Sequence, residues 1–104
     1  MAIGLAQREP LTGPDPLASF RADVAATSAR FPELGMIVYP ELHLHSVDDL
    51  PADDRADALR QKAVALHSEF VAEIGRIAAE HSVWLCPGSI GEISDDGSFY
   101  NTQL

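Results

Sequence analysis

The feature of this chain best suited to chemistry is a carboxylate just past the end of an apolar strand. The stretch Met36 to Leu50 reads MIVYPELHLHSVDDL. Its opening, Met36 to Tyr39, has the length and the β-branched or aromatic content of a buried strand. Pro40 cannot donate to a central ladder, so the strand ends there. Glu41 then falls beyond the carboxyl end, where open α/β sheets place their ligands. A carboxylate beside buried strand ends is open to tuning by desolvation and can act as a general base near neutral pH. The plainer alternative is a polar residue that only closes a strand.

His43 and His45 form an H-x-H pair, which on extended chain points both imidazoles to one side. Zinc needs a third protein ligand, and His67 and His81 lie far off in helical pattern. The expectation is therefore two loop histidines at the mouth of a pocket, in reach of substrate, with no metal and no cofactor. Cys86, the single cysteine, ends the apolar run Val83-Trp84-Leu85-Cys86 and reads as a small core residue. No neighbouring base or helix N-terminus marks it as a thiolate. Asp48, Asp49, Asp53 and Asp54 read as a solvated loop and helix start, where the helix dipole favours them. They lack the EF-hand spacing for calcium. Gly88, Gly91 and Gly97 sit in a hairpin, not between strand and helix, so they are no phosphate loop.

The elements that must position these groups follow from the pattern. Ile3 to Gln7 is a first strand, and Pro10, Gly13 and Pro14 make the next stretch a loop. Asp15-Pro16 is a helix start, with a side-chain cap and a proline at the first helical position. Leu17, Phe20, Val24 and Phe31 recur at helical spacing until Pro32 and Gly35 close the helix. The opening is thus β-α-β, a parallel pair with a right-handed crossover. His43 to Asp54 is polar, contains Pro51 and reads as a loop. From Asp54 to His81 a helical face forms from Leu59, Ala63, Leu66, Phe70, Ile74 and Ile77, split near Leu66 to Ser68, where Ser68 offers a cap. Val83 to Cys86 is a strand ended by Pro87-Gly88. Ser89 to Ile93 continues extended, Asp95-Asp96-Gly97 turns, and Ser98 to Leu104 returns as a hairpin. The order β-α-β-α-β-β indicates an α/β protein.

At 104 residues the chain is one domain and buries roughly two thirds of its unfolded surface on folding. A hydrophobic fraction of 46% and a charged fraction of 22% are ordinary for a globular protein. The net charge of −9, from 16 acidic and 7 basic residues, leaves no basic cluster for nucleic acid or an anionic membrane. One cysteine excludes an internal disulfide and fits a reducing compartment. No signal peptide or run of roughly 20 apolar residues is present, so the cytoplasm is the expected setting. The chain stops within its last strand, which reads as a cut end.

Taken together, IGLAQ at the start, MIVYPEL in the middle, then IAAEHSVWLCPGSIGE and FYNTQL resemble the N-terminal part of the nitrilase-type carbon–nitrogen hydrolases. The resemblance implies an αββα sandwich of which residues 1–104 are a partial domain, in a full-length protein that forms homo-oligomers. It implies a Glu-Lys-Cys triad acting on a small amide, N-carbamoyl compound or nitrile through a thioester acyl-enzyme. Glu41 matches the general base of the family's strand-Pro-Glu motif. Such a base makes physical sense beside a thiol that is only slightly ionised at neutral pH, and the lysine would stabilise the tetrahedral intermediate. The family's lysine and nucleophilic cysteine follow the hairpin and have no counterpart here, because Lys62 and Cys86 both fall outside their motifs. Asn101, in the Y-N-T match, reads as a structural hydrogen-bonding residue. The expectation is a chain inactive by itself, supplying only the base. The alternative is a non-catalytic fragment or pseudoenzyme that works through association.

Overall fold

Three parallel strands form the sheet on which the rest is built. In the computed structural model, which describes all 104 residues, β1 (Ala2–Leu5) pairs with β2 (Leu34–Val38), and β2 pairs with β3 (Trp84–Cys86). The sheet order is β1-β2-β3. The register aligns Ile3, Met36 and Trp84 in one row, Gly4, Ile37 and Leu85 in the next, and Leu5, Val38 and Cys86 in a third. Backbone bonds from Ala6 N–H to Val38 O and from Tyr39 N–H to Cys86 O carry the ladder one step further.

The crossovers are helical. α1 (Pro16–Arg30) joins β1 to β2, while α2 (Ala52–Lys62) and α3 (Glu69–His81) lie between β2 and β3. Pro16 sits in the first turn of α1, but the Asp15 side chain makes no capping bond, contrary to expectation. At α3 the expected cap is made: Ser68 Oγ accepts from Val71 N–H at 3.4 Å. The helical stretch breaks between α2 and α3 as expected, but residues counted on the helical faces fall outside the helices. Leu66 lies in the connection between α2 and α3 and is exposed, and Phe31 caps α1 and is also exposed.

Beyond β3 the chain changes sheets. Pro87 and Gly88 turn it into β4 (Ser89–Ile93), which pairs antiparallel with β5 (Phe99–Gln103) as a separate two-stranded sheet. Asp96 holds the hairpin turn, accepting from Ser94 Oγ and from Ser98 N–H, with Gly97 at φ +83°. On its other edge β4 meets Val64 through bonds from Val64 N–H to Gly91 O and from Ile93 N–H to Val64 O, both 3.0 Å. The expected order β-α-β-α-β-β is thus corrected to β-α-β-α-α-β-β-β. The left-handed φ of +88° at Gly88 falls at the Pro87-Gly88 stop expected after β3, and the extended stretch beyond it is a strand of the second sheet.

The core lies between one sheet face and the helices α1 and α3. Phe20, Val24, Ile74 and Ile77 meet Ile37, Tyr39 and Leu44, all buried. Phe20 and Tyr39 pack edge to face with ring centroids 4.9 Å apart. The opposite face carries Ile3, Leu5 and Trp84, which are 57%, 77% and 69% exposed, beside the half-buried Met36, Val38 and Cys86. Cys86 is therefore not the core residue its apolar run implied. Parallel sheets are ordinarily buried on both faces, so this uncovered face should promote association. Light scattering on the 104-residue chain should show a mass that grows with concentration, and Trp84→Glu should reduce it. A monomer at all concentrations would contradict this reading.

Candidate active site

The turn that follows β2 is built by contacts from far along the chain. His43 N–H donates to Pro40 O at 3.2 Å, closing a turn with Glu41 and Leu42 at its tip. Leu42 has φ +52°, a left-handed conformation that costs a non-glycine residue roughly 1–2 kcal/mol. Its N–H donates to Ser89 Oγ at 3.1 Å, which helps hold the strained residue in place. Beneath the turn lies Gly88, where a Cβ would come within 2.0 Å of Pro40 O. The Pro40–His43 turn is thus seated on the crossover between the two sheets, and only glycine leaves room for it.

This seating presents Glu41 outward. Its carboxylate is exposed, and Oε1 accepts from Asn101 Nδ2 at 2.6 Å. Asn101 stands on β5, opposite Gly91. A strand end of the first sheet and a strand of the second therefore converge on one carboxylate. The Asn101 bond fixes one oxygen and leaves the other free. A depression of about 330 Å³ opens beside Glu41, bordered also by Pro10, Leu42, Ser46 and Asp48. No lysine or arginine borders it, so nothing there neutralises a developing oxyanion.

The two histidines are not at a pocket mouth beside Glu41. Both are buried, at 2% and 3% exposure, and neither borders that depression. The backbone from Glu41 to His45 is turned, not extended, so the rings diverge. His43 packs on Tyr39, with centroids 4.9 Å apart, and lies tilted against Phe20. His45 packs on Phe70 at 4.9 Å, and its Nδ1 accepts from Gly91 N–H at 3.2 Å. They serve as packing groups that pin the loop after β2 to the core. No three metal-ligating side chains come together in the structure.

Burial sets the protonation of these rings. It pushes His45 down to about 4, with the nearby Lys62 ammonium adding to the effect. His43 is likewise lowered by burial, partly opposed by the Asp23 carboxylate. The folded state therefore refuses a proton that the unfolded chain accepts near pH 6.5. Stability is full above that pH and falls as pH drops toward about 4, by about 3 kcal/mol from His45 alone. Urea melts at pH 7 and pH 4 measure this loss, and His45→Gln should flatten the dependence. An unchanged slope in that variant would show the loss to come from elsewhere.

Lys62 and Cys86 take no place at Glu41. The Lys62 ammonium donates to Thr12 O at 3.0 Å and Ser46 O at 2.6 Å, tying together the loops that follow β1 and β2. Cys86 ends β3 on the uncovered sheet face. Sequence reasoning placed Gly88 in the hairpin, whereas it lies in the crossover before β4, and it passed over Ser89 and Leu42; these three residues seat the turn. The positive φ at Gly88 was signalled by the Pro-Gly pair, whereas nothing local marks Leu42 for a left-handed conformation. Searches against protein-family models, curated proteins and solved structures give no match for this chain.

Proposed function

We propose that this chain supplies the general base of a nitrilase-type hydrolase of non-peptide carbon–nitrogen bonds, with Glu41 as that base. The observation that carries the proposal is the convergence on Glu41. Its carboxylate stands just past the end of the central strand β2, anchored by Asn101 from the second sheet and with one oxygen free. A base must hold its lone pair at a set position toward the proton it takes, and such an anchor does that. The motifs MIVYPEL and FYNTQL, which carry the family resemblance, are the segments that meet here. The uncovered apolar face of the parallel sheet suits an αββα sandwich, in which a second sheet would close it.

On this reading a thiolate attacks the carbon of a small amide, N-carbamoyl compound or nitrile after Glu41 accepts the thiol proton. For an amide, ammonia or an amine leaves, and water then hydrolyses the thioester. The nucleophilic cysteine and the lysine lie outside these 104 residues, so the chain alone is inactive. The full protein is a homo-oligomer in the cytoplasm and needs no cofactor. The protein translated from the whole reading frame should release ammonia from small amides, and Glu41→Gln should bring that release to background. A frame with no further lysine and cysteine, or full activity in the variant, would overturn the proposal.

A second reading is favoured by the same uncovered face of Ile3, Leu5 and Trp84: a non-catalytic module that acts by association. It is distinguished by amide turnover, which it lacks in any length of the protein.

A further inference from the structure

A second cavity, away from Glu41, lies where α2 runs into the connection to α3. It measures about 240 Å³ and is walled by Leu44, Val64 and Phe70 with Gln61, Lys62 and His45 as its polar members. Lys62 is half-buried. Its ammonium has three N–H groups, and two are given to the carbonyls of Thr12 and Ser46. It makes no ion pair, although the chain holds 16 acidic residues; every ion pair in the structure is an arginine's. A half-buried cation without a counter-charge leaves an electrostatic vacancy for an anion.

His45 supplies the second donor. Because its Nδ1 accepts from Gly91 N–H, the neutral ring carries its proton on Nε2. The ring is held by Phe70 and by the β4 backbone, so the donor is preorganised. One free ammonium N–H and one imidazole N–H match the two oxygens of a carboxylate, whereas a phosphate presents more acceptors than these donors serve. The aliphatic and aromatic walls suit a short apolar tail. The volume lies below the usual 300–1,000 Å³ of drug-sized sites, which limits the occupant to a small molecule.

We propose that this cavity binds a small carboxylate with a short apolar tail, its oxygens taken by Lys62 and His45 and its tail laid on Leu44, Val64 and Phe70. The site shares no side chain with the depression at Glu41, so it stands or falls separately from the hydrolase reading.

The test is a titration of the 104-residue chain with propionate, followed by the ring-proton NMR signals of His45. Saturable shifts with a Kd on the order of 1 mM are expected. Propionamide, of the same shape without the charge, should give none, and inorganic phosphate should bind more weakly than propionate. Gln61→Glu puts a carboxylate at the rim from an exposed position that the fold does not need, and should raise the Kd about tenfold. Lys62→Met should do the same; if releasing its two loops unfolds the chain, Gln61→Glu decides. Absence of saturation, equal binding of propionamide or phosphate, or an unchanged Kd in Gln61→Glu would each overturn the site.

Discussion

Glu41→Gln should lower amide hydrolysis by the protein of the whole reading frame about 10²- to 10⁴-fold, the range general-base residues contribute. The substitution keeps the shape and an oxygen to accept from Asn101 Nδ2, so the turn stays seated while the proton acceptor is lost. Glu41 is exposed and makes no ion pair, and stability should change by less than about 0.5 kcal/mol. The loss should fall on kcat, with KM little altered, because in the proposed mechanism the carboxylate acts on the nucleophile. Asn101→Ala gives the companion result. In the proposed mechanism Asn101 is a positioning residue, since removing its bond to Glu41 frees the carboxylate to leave its set position. A loss of about tenfold in kcat is expected, recovered in part by Asn101→Gln. Steady-state kinetics with matched thermal melts separate these effects from unfolding.

Gly88→Ala should be the most damaging single methyl group in the chain. Two costs add at this position. The φ of +88° lies where L-residues pay roughly 1–2 kcal/mol. A Cβ would also stand 2.0 Å from Pro40 O, a backbone atom that cannot rotate aside. The Pro40–His43 turn must then lift off the crossover, breaking the Leu42 to Ser89 bond and unseating the buried His43. A loss of about 3 kcal/mol or more is expected, against the 5–15 kcal/mol typical of a domain. Gly97 is the control. Its φ is also positive, at +83°, but a Cβ there meets nothing within 4 Å. Gly97→Ala should therefore cost only the backbone term. Urea melts of the two variants measure the difference, and equal losses would show that the contact with Pro40 is unimportant.

Much of the architecture was legible because local signals agreed with the packing. Pro16, Pro32 and Pro40 punctuate the β-α-β opening, and α1 lies between Pro16 and Arg30 as the pattern requires. Ser68 starts α3 as a capping residue should. The hairpin around Asp95-Asp96-Gly97 also formed as read. What failed depends on distant contacts. The stretch after β2 is polar in composition and reads as solvated loop, yet His43 to Val47 is buried. Its burial comes from Phe20, Tyr39 and Phe70 and from the backbone of β4, none of which announces itself locally.

The position of Glu41 past a strand end could be read from Pro40 alone. Its anchor could not, because Asn101 lies 60 residues away on the other sheet. The seat at Gly88 was hidden for the same reason, since it matters only when Pro40 arrives above it. Lys62 was the reverse case. A lone lysine invites a catalytic role, but its position at the end of α2 commits it to Thr12 and Ser46.

The most direct test of Glu41 as the base to a thiol is formation of the acyl-enzyme itself. The protein of the whole reading frame is mixed with a panel of small amides, quenched in acid and weighed by mass spectrometry. A covalent adduct of acyl mass on a cysteine other than Cys86 is expected, forming about 10²- to 10⁴-fold more slowly in Glu41→Gln. An adduct that forms equally fast in the variant would contradict the assignment of Glu41 as general base.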